Sequence, residues 1–271
     1  MVMDDVERLR RHGQNLLLLR RFDEARSSAL EALSQEPGEA STHRLLGEIE
    51  LGAGRLDLAA QHATDAMGIA ADPASLHLAA RVARHAGRYD EAIELCSRAL
   101  VMEPDLAPLH MTLSLATSGP WLDARPDGDR ASDRTSATTR AMDAANTALA
   151  LQPDQTGGYY AKAVAHVIAD DLVGAASALE QGLSVQPDWP DGHVLMGVVR
   201  ARQGMVKLAS RHFATAGRLD PGDDRHIERL RAMRPSRRFL NRRRKRQVPW
   251  HLAPEARQII AADDRLARFD P

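Results

Sequence analysis

The groups in this chain that could carry chemistry are eleven histidines, one cysteine and a block of arginines late in the sequence. Histidines could bind a metal ion or move protons, but both tasks need several groups to converge. Here they are scattered. His43, His110 and His193 recur at one register of an internal repeat, which points to a packing column and not to a metal cluster. No HExxH pair, GxSxG elbow or phosphate-binding glycine loop is present. Cys96 falls in an apolar helical stretch, where a thiol stays protonated and inert. Asp123, Asp127, Asp129 and Asp133 gather in one segment, but without the spacing of a calcium loop. No catalytic residue, metal or cofactor is assigned, and the chain is expected not to be an enzyme.

The arginine block is the strongest local charge. From Arg234 to Arg246 there are eight basic residues and no acidic one. Arg237, Arg238, Arg242, Arg243, Arg244, Lys245 and Arg246 could contact nucleic-acid phosphates or an anionic membrane surface. A solvated linker would carry the same residues. The chain as a whole has a formal net charge of −1, so no global field favours either partner. One cysteine excludes an internal disulfide. The N-terminus is acidic and no export-type apolar core follows it, so the expected compartment is the cytoplasm. The longest aliphatic run, Leu16 to Leu19, is far too short to span a membrane.

The elements that must position these groups are legible as an internal repeat. Arg-Phe-Asp-Glu-Ala at 21–25 returns as Arg-Tyr-Asp-Glu-Ala at 88–92. Each is followed by an apolar helical stretch and a proline, Pro37 or Pro104. Pro153, Pro187 and Pro221 close three further units at a constant spacing of 34 residues. In register the units are 6–39, 40–72, 73–106, 107–155, 156–189 and 190–223. Position 8 then holds Gly13, Gly47, Ala80, Ser114, Ala163 and Gly197. Position 20 is alanine throughout: Ala25, Ala59, Ala92, Ala141, Ala175 and Ala209. Position 27 holds Ala32, Ala66, Ala99, Ala148, Gly182 and Ala216. Small residues at 8 and 20 let two antiparallel helices touch, and one at 27 admits the next unit. A proline near position 32 ends the second helix.

These columns resemble the tetratricopeptide repeat family over roughly residues 6–223. The resemblance implies an all-α fold: a right-handed superhelical array of about six helix hairpins. Departures are present. Position 4, where the family favours large side chains, holds Leu9, His43, Leu76, His110, Tyr159 and His193. The fourth unit carries about 15 extra residues, and the Pro, Gly, Asp and Ser content of 119–134 reads as a loop. The expected domains are a repeat domain over 1–233 with that loop insertion, an Arg-rich linker over 234–253 and an amphipathic helix over 254–271. Residues 224–233 read as a capping helix.

In such arrays the first helices line a concave groove, and the resemblance implies that positions 2, 5, 9 and 12 face it. Units one to three place Arg10, Gln14, Arg44, Glu48, His77, Arg81 and Arg84 there, with His85 adjacent. Units four to six place Met111, Leu115, Tyr160, Val164, Val167, Val194 and Val198. The first half is polar and mostly basic, suited to carboxylates. The second is an apolar stripe of the kind that marks an interaction site when exposed. A carboxylate clamp known in the family is not reproduced, since Leu45 and Leu78 occupy two of its places. The expected function is a protein–protein interaction scaffold or adaptor. Its partner would be a polypeptide with an acidic end near Arg81 and an apolar or helical end near Tyr160. The alternative is a nucleic-acid-associated or membrane-surface protein that uses the arginine block. The last helix, with Ile259, Ala262, Leu266 and Phe269 at helical spacing, could dock on a partner or fold back into the groove.

Overall fold

The computed structural model describes residues 2–123 and 131–221. The expected capping helix, the Arg-rich linker and the C-terminal helix lie outside the described residues, as do Asp127 and Asp129. Among the described residues the chain forms helices only, taken in pairs. They are α1 (Val2–Leu18) and α2 (Phe22–Gln35), α3 (Ala40–Gly52) and α4 (Leu56–Ile69), α5 (Pro73–His85) and α6 (Tyr89–Met102). Then follow α7 (Ala107–Asp123) and α8 (Ala131–Leu151), α9 (Thr156–Ile168) and α10 (Leu172–Val185), α11 (Pro190–Arg202) and α12 (Val206–Leu219).

The sequence columns explain the pairing. All six residues at position 20 are fully buried, and those at positions 8 and 27 are buried as well. A larger side chain has no room at several of them. A Cβ on Gly197 would sit 2.5 Å from Cε1 of Phe213, and one on Gly182 would sit 2.8 Å from Cζ3 of Trp189. Each hairpin is closed by backbone geometry repeated from unit to unit. The N–H groups of Arg21, Arg55, Arg88, Asp171 and Met205 donate to the carbonyls of Leu16, Glu50, Ala83, His166 and Arg200. With the bonds one residue earlier (Gly54 to Leu51, Gly87 to Arg84), this is a Schellman closure of the first helix. It needs one left-handed residue per turn. Gly54, Gly87 and Gly204 supply it with φ of 75–77°, while Arg20 and Asp170 adopt it as L-residues at 56° and 61°. The second helices stop because Glu36, Glu103, Gln186 and Asp220 precede prolines and are pushed out of the helical region, φ −129° to −137°.

The fourth unit departs from this pattern, and the loop expected over 119–134 is narrower than its composition suggests. Helix α7 runs through Pro120 to Asp123, and α8 has already begun at Ala131. They have 17 and 21 residues, against 13 and 14 in the neighbouring hairpin α9–α10. The extensions are helical because they have something to pack on. Trp121 and Leu122 join Ala141, Ala165 and Ile168 in a cluster of their own. Gly119 lies so close to Tyr89 that a Cβ would come within 2.1 Å of the ring.

Hairpins stack in chain order, and the first helices α1, α3, α5, α7, α9 and α11 also contact one another in succession. The second helices do not approach each other comparably. An array whose first helices are crowded and whose second helices are splayed is curved, with the first helices on the inner face. The curvature brings the two ends of the array together: Arg20, in the first hairpin turn, forms an ion pair with Asp220, just after α12. No helix among the described residues is long and apolar enough to cross a membrane.

Candidate partner-binding groove

The inner face is built from the first helices, so its chemistry follows from their exposed registers. In units one to three those registers are polar, and their side chains reach from one unit to the next. Arg10 donates to Ser41 at 2.9 Å and pairs with Glu39 at 3.5 Å. Arg44, one unit later at the same register, pairs with Asp72 at 3.0 Å. Asp72 in turn caps α5 by accepting from the Ser75 N–H. The Ser75 bonds and the Arg44 guanidinium hold the Asp72 carboxyl below its ordinary range, although burial opposes them. His77 bonds Thr112 at 2.9 Å, and Arg81 lies 3.6 Å from Glu48. Gln14 is exposed.

Two expectations change here. The first half of the groove is not a free basic surface, because Arg10 and Arg44 each face the acid that ends their own unit, and Arg81 faces Glu48 of the unit before. Arg84, expected on the groove wall, is fully buried, with Nη2 2.9 Å from His85 Nε2. The apolar stripe is not open either. Leu115, Tyr160, Val164, Val167, Val194 and Val198 are each less than a tenth exposed, and only Met111 is partly accessible. Leu115, Tyr160, Val164 and Val167 belong to one core cluster with Leu179, Leu195 and Met196, where α7 and α9 pack closely. Tyr160 meets Trp189 edge-on at 6.2 Å. Val194 and Val198 pack around Phe213. These side chains hold the array together from within.

The histidines at position 4 are half-buried as expected, yet they have partners that sequence reading missed. His110 and His193 donate from Nε2 to the carbonyls of Pro104 and Pro187, and the Tyr159 hydroxyl does the same to Pro153. In units four to six, position 4 therefore ties the first helix to the proline near the end of the unit before. His43 and His193 also meet a second imidazole nineteen residues on. The Nδ1 atoms are 3.3 Å apart in His43–His62 and 3.1 Å apart in His193–His212. Asp65 joins the first pair, 3.5 Å from His43. The signal for this was present in the sequence as the same two registers being histidine in units two and six. Cys96 is buried, and burial pushes its thiol up to about 12, so it stays protonated.

Burial and then the neighbouring imidazole lower the pKa of both His62 and His212. For His212, Arg200 adds to the lowering and Glu180 opposes it. Above the ordinary value of 6.5 both folded and unfolded chains leave this ring neutral. Below it the unfolded chain takes up a proton that the folded chain refuses, so stability falls with pH. The melting temperature is expected to drop between about pH 7 and pH 5, and His212→Gln to flatten that drop. An equal slope in the variant would remove His212 as the responsible group.

Residues 10–75 and 66–108 match the family described as tetratricopeptide repeat. Together these matches span residues 10–108, a little over a third of the chain. No curated protein matches this repeat protein by sequence. Among solved structures, the repeat array is similar to the Cut9–Hcn1 hetero-tetramer of the APC/C, with a TM-score of 0.64 at 15% identity. That match covers 85% of this chain and 43% of the other, so the chain spans less than half of that relative. It is similar to the human IFIT1 dimer with m7Gppp-AAAA, TM-score 0.71 at 18% identity, covering 87% of this chain and 56% of that one. It is also similar to PilW, a type IV pilus biogenesis factor, TM-score 0.60 at 14% identity, covering 82% and 96%. At these identities the likeness is one of fold.

Proposed function

We propose that the polar half of the inner face, over repeats one to three, is the recognition surface for a partner polypeptide. The supporting observation is the row of part-exposed, paired charges along the first three repeats: Arg10–Glu39, Arg44–Asp72 and Arg81–Glu48. Such pairs contribute little to stability where they are solvated. Their groups can exchange partners with the amides and carboxylates of a bound chain at small cost, and Arg favours carboxylates through its planar fork. An acidic segment would sit against Arg44 and Arg81. The protein acts by holding this partner, not by catalysis, in the cytoplasm. Burial of Leu115, Tyr160, Val164 and Val167 removes the reason to expect an apolar end in the second half of the groove.

A photo-crosslinking residue at Gln14 tests this reading against one at Arg98, which is exposed on the second helix α6. Capture of the same polypeptide from Gln14 and not from Arg98 supports the groove. With that polypeptide in hand, Arg44→Glu with Arg81→Glu is expected to weaken binding tenfold or more, about 1.4 kcal/mol. Unchanged affinity would overturn the acidic-segment reading. The nucleic-acid or membrane alternative rests on the charges of Arg237 to Arg246 alone; nuclease-sensitive capture that is lost when the chain stops at Arg234 would favour it.

A further inference from the structure

His43 in α3 and His62 and Asp65 in α4 come from the two helices of one hairpin, and their ligand atoms all lie within 4.8 Å of one another. His62 and Asp65 are three residues apart, which puts them on one helix face. The three separations are 3.3 Å between the imidazole Nδ1 atoms, 3.5 Å from His43 to Asp65 Oδ2 and 4.0 Å from His62 to the same oxygen. A tetrahedral ion with bonds of 2.0–2.2 Å to nitrogen and oxygen separates its ligand atoms by about 3.3–3.5 Å. Two of the three edges meet that value, and the long one ends on the most exposed of the three side chains. Closing the His62–Asp65 edge from 4.0 Å by about 0.5 Å, a small rotation of the Asp65 side chain, completes one face of a tetrahedron with zinc–ligand bond lengths.

We propose that His43, His62 and Asp65 form a binding site for a Zn(II)-class divalent ion. The ligand set selects the class. Two imidazoles and one carboxylate suit zinc and its neighbours, whereas calcium and magnesium take oxygen ligands throughout. The imidazoles are only 12% and 15% exposed, so packing already fixes them, while Asp65 at 42% opens toward solvent. The fourth position therefore faces water or a group brought by another molecule. The sixth repeat supplies an internal comparison. His193 and His212 stand at the same registers with Nδ1 atoms 3.1 Å apart, but Thr215 occupies the place of Asp65. There, His193 donates from Nε2 to Pro187, so its Nδ1 accepts and His212 Nδ1–H donates. A paired hydrogen bond accounts for those two rings. It leaves no role for a carboxylate, and the second repeat has one.

The test is equilibrium dialysis of the full-length protein against Co(II), then Zn(II), with visible absorption of the Co(II) form. One ion per chain with the intense bands of tetrahedral cobalt is expected. Asp65→Asn and His62→Gln should each abolish the bands and release the ion, while His212→Gln keeps both. Asp65 is a partly exposed side chain, so the asparagine variant retains the fold, checked by helical circular dichroism in chelator. Failure to retain an ion, weak octahedral bands, retention in Asp65→Asn, or loss in His212→Gln would each overturn the site.

Discussion

Removing both Arg26 and Arg55 is expected to destabilise the array by about 3–5 kcal/mol, the usual cost of stranding a buried charge. The charge is Glu50, near the end of α3, whose side chain is fully buried. Its carboxylate accepts from Arg26 Nε at 2.7 Å and is paired on its other oxygen with Arg55. Arg26 belongs to α2 of the first repeat, and Arg55 opens α4 of the second and also reaches Asp23 at 3.1 Å. The cluster therefore pins repeat one to repeat two. Either single alanine leaves one guanidinium in place, so each should cost markedly less than half of the double loss. That non-additivity is the diagnostic, since groups in one network couple where distant groups do not. Urea unfolding of the wild type, both singles and the double variant measures it. Additive losses would mean that Glu50 does not depend on the pair.

Phe213→Ala should cost about 3–5 kcal/mol as well, because it empties the core of the last described hairpin. The ring is fully buried, lies against the bare backbone of Gly197 and is surrounded by Val194, Val198, Ala209 and Ala216. The ring fills the space that glycine at position 8 leaves, so no neighbour can move in to close the cavity. Stability in a stacked array is nearly local to each unit and its interfaces. Hydrogen exchange should therefore accelerate in α11 and α12 while α3 to α6 keep their protection. Uniform loss of protection along the array would show that the units unfold as one.

These two sites show different depths of legibility. The small residue at Gly197 could be read directly, as one of a column, but its filling by Phe213 could not. Glu50 carries no sign in the sequence of being buried. It looks like any exposed helical acid until α2 is packed beside α3. The insertion shows the same limit. Its Pro, Gly and Asp content reads as loop, yet Trp121 and Leu122 found a surface on α9 and α7 stayed helical past Pro120. The groove residues were placed on the correct helices by their register. Which of them meet water was decided elsewhere, by the closeness of α7 to α9 and by the acids that end units one and two.

What the sequence determined by itself is the repeat. Small residues at three registers, prolines after the second helices and turn residues between hairpins act through local sterics and backbone geometry, and local effects are written at fixed spacing. What only the tertiary structure decided is every side-chain pairing between elements: Arg44 with Asp72, Arg26 and Arg55 with Glu50, His43 with His62 and Asp65. Those contacts depend on how far one helix is rotated against the next. That rotation is set by the summed packing of both surfaces, and no single register encodes it.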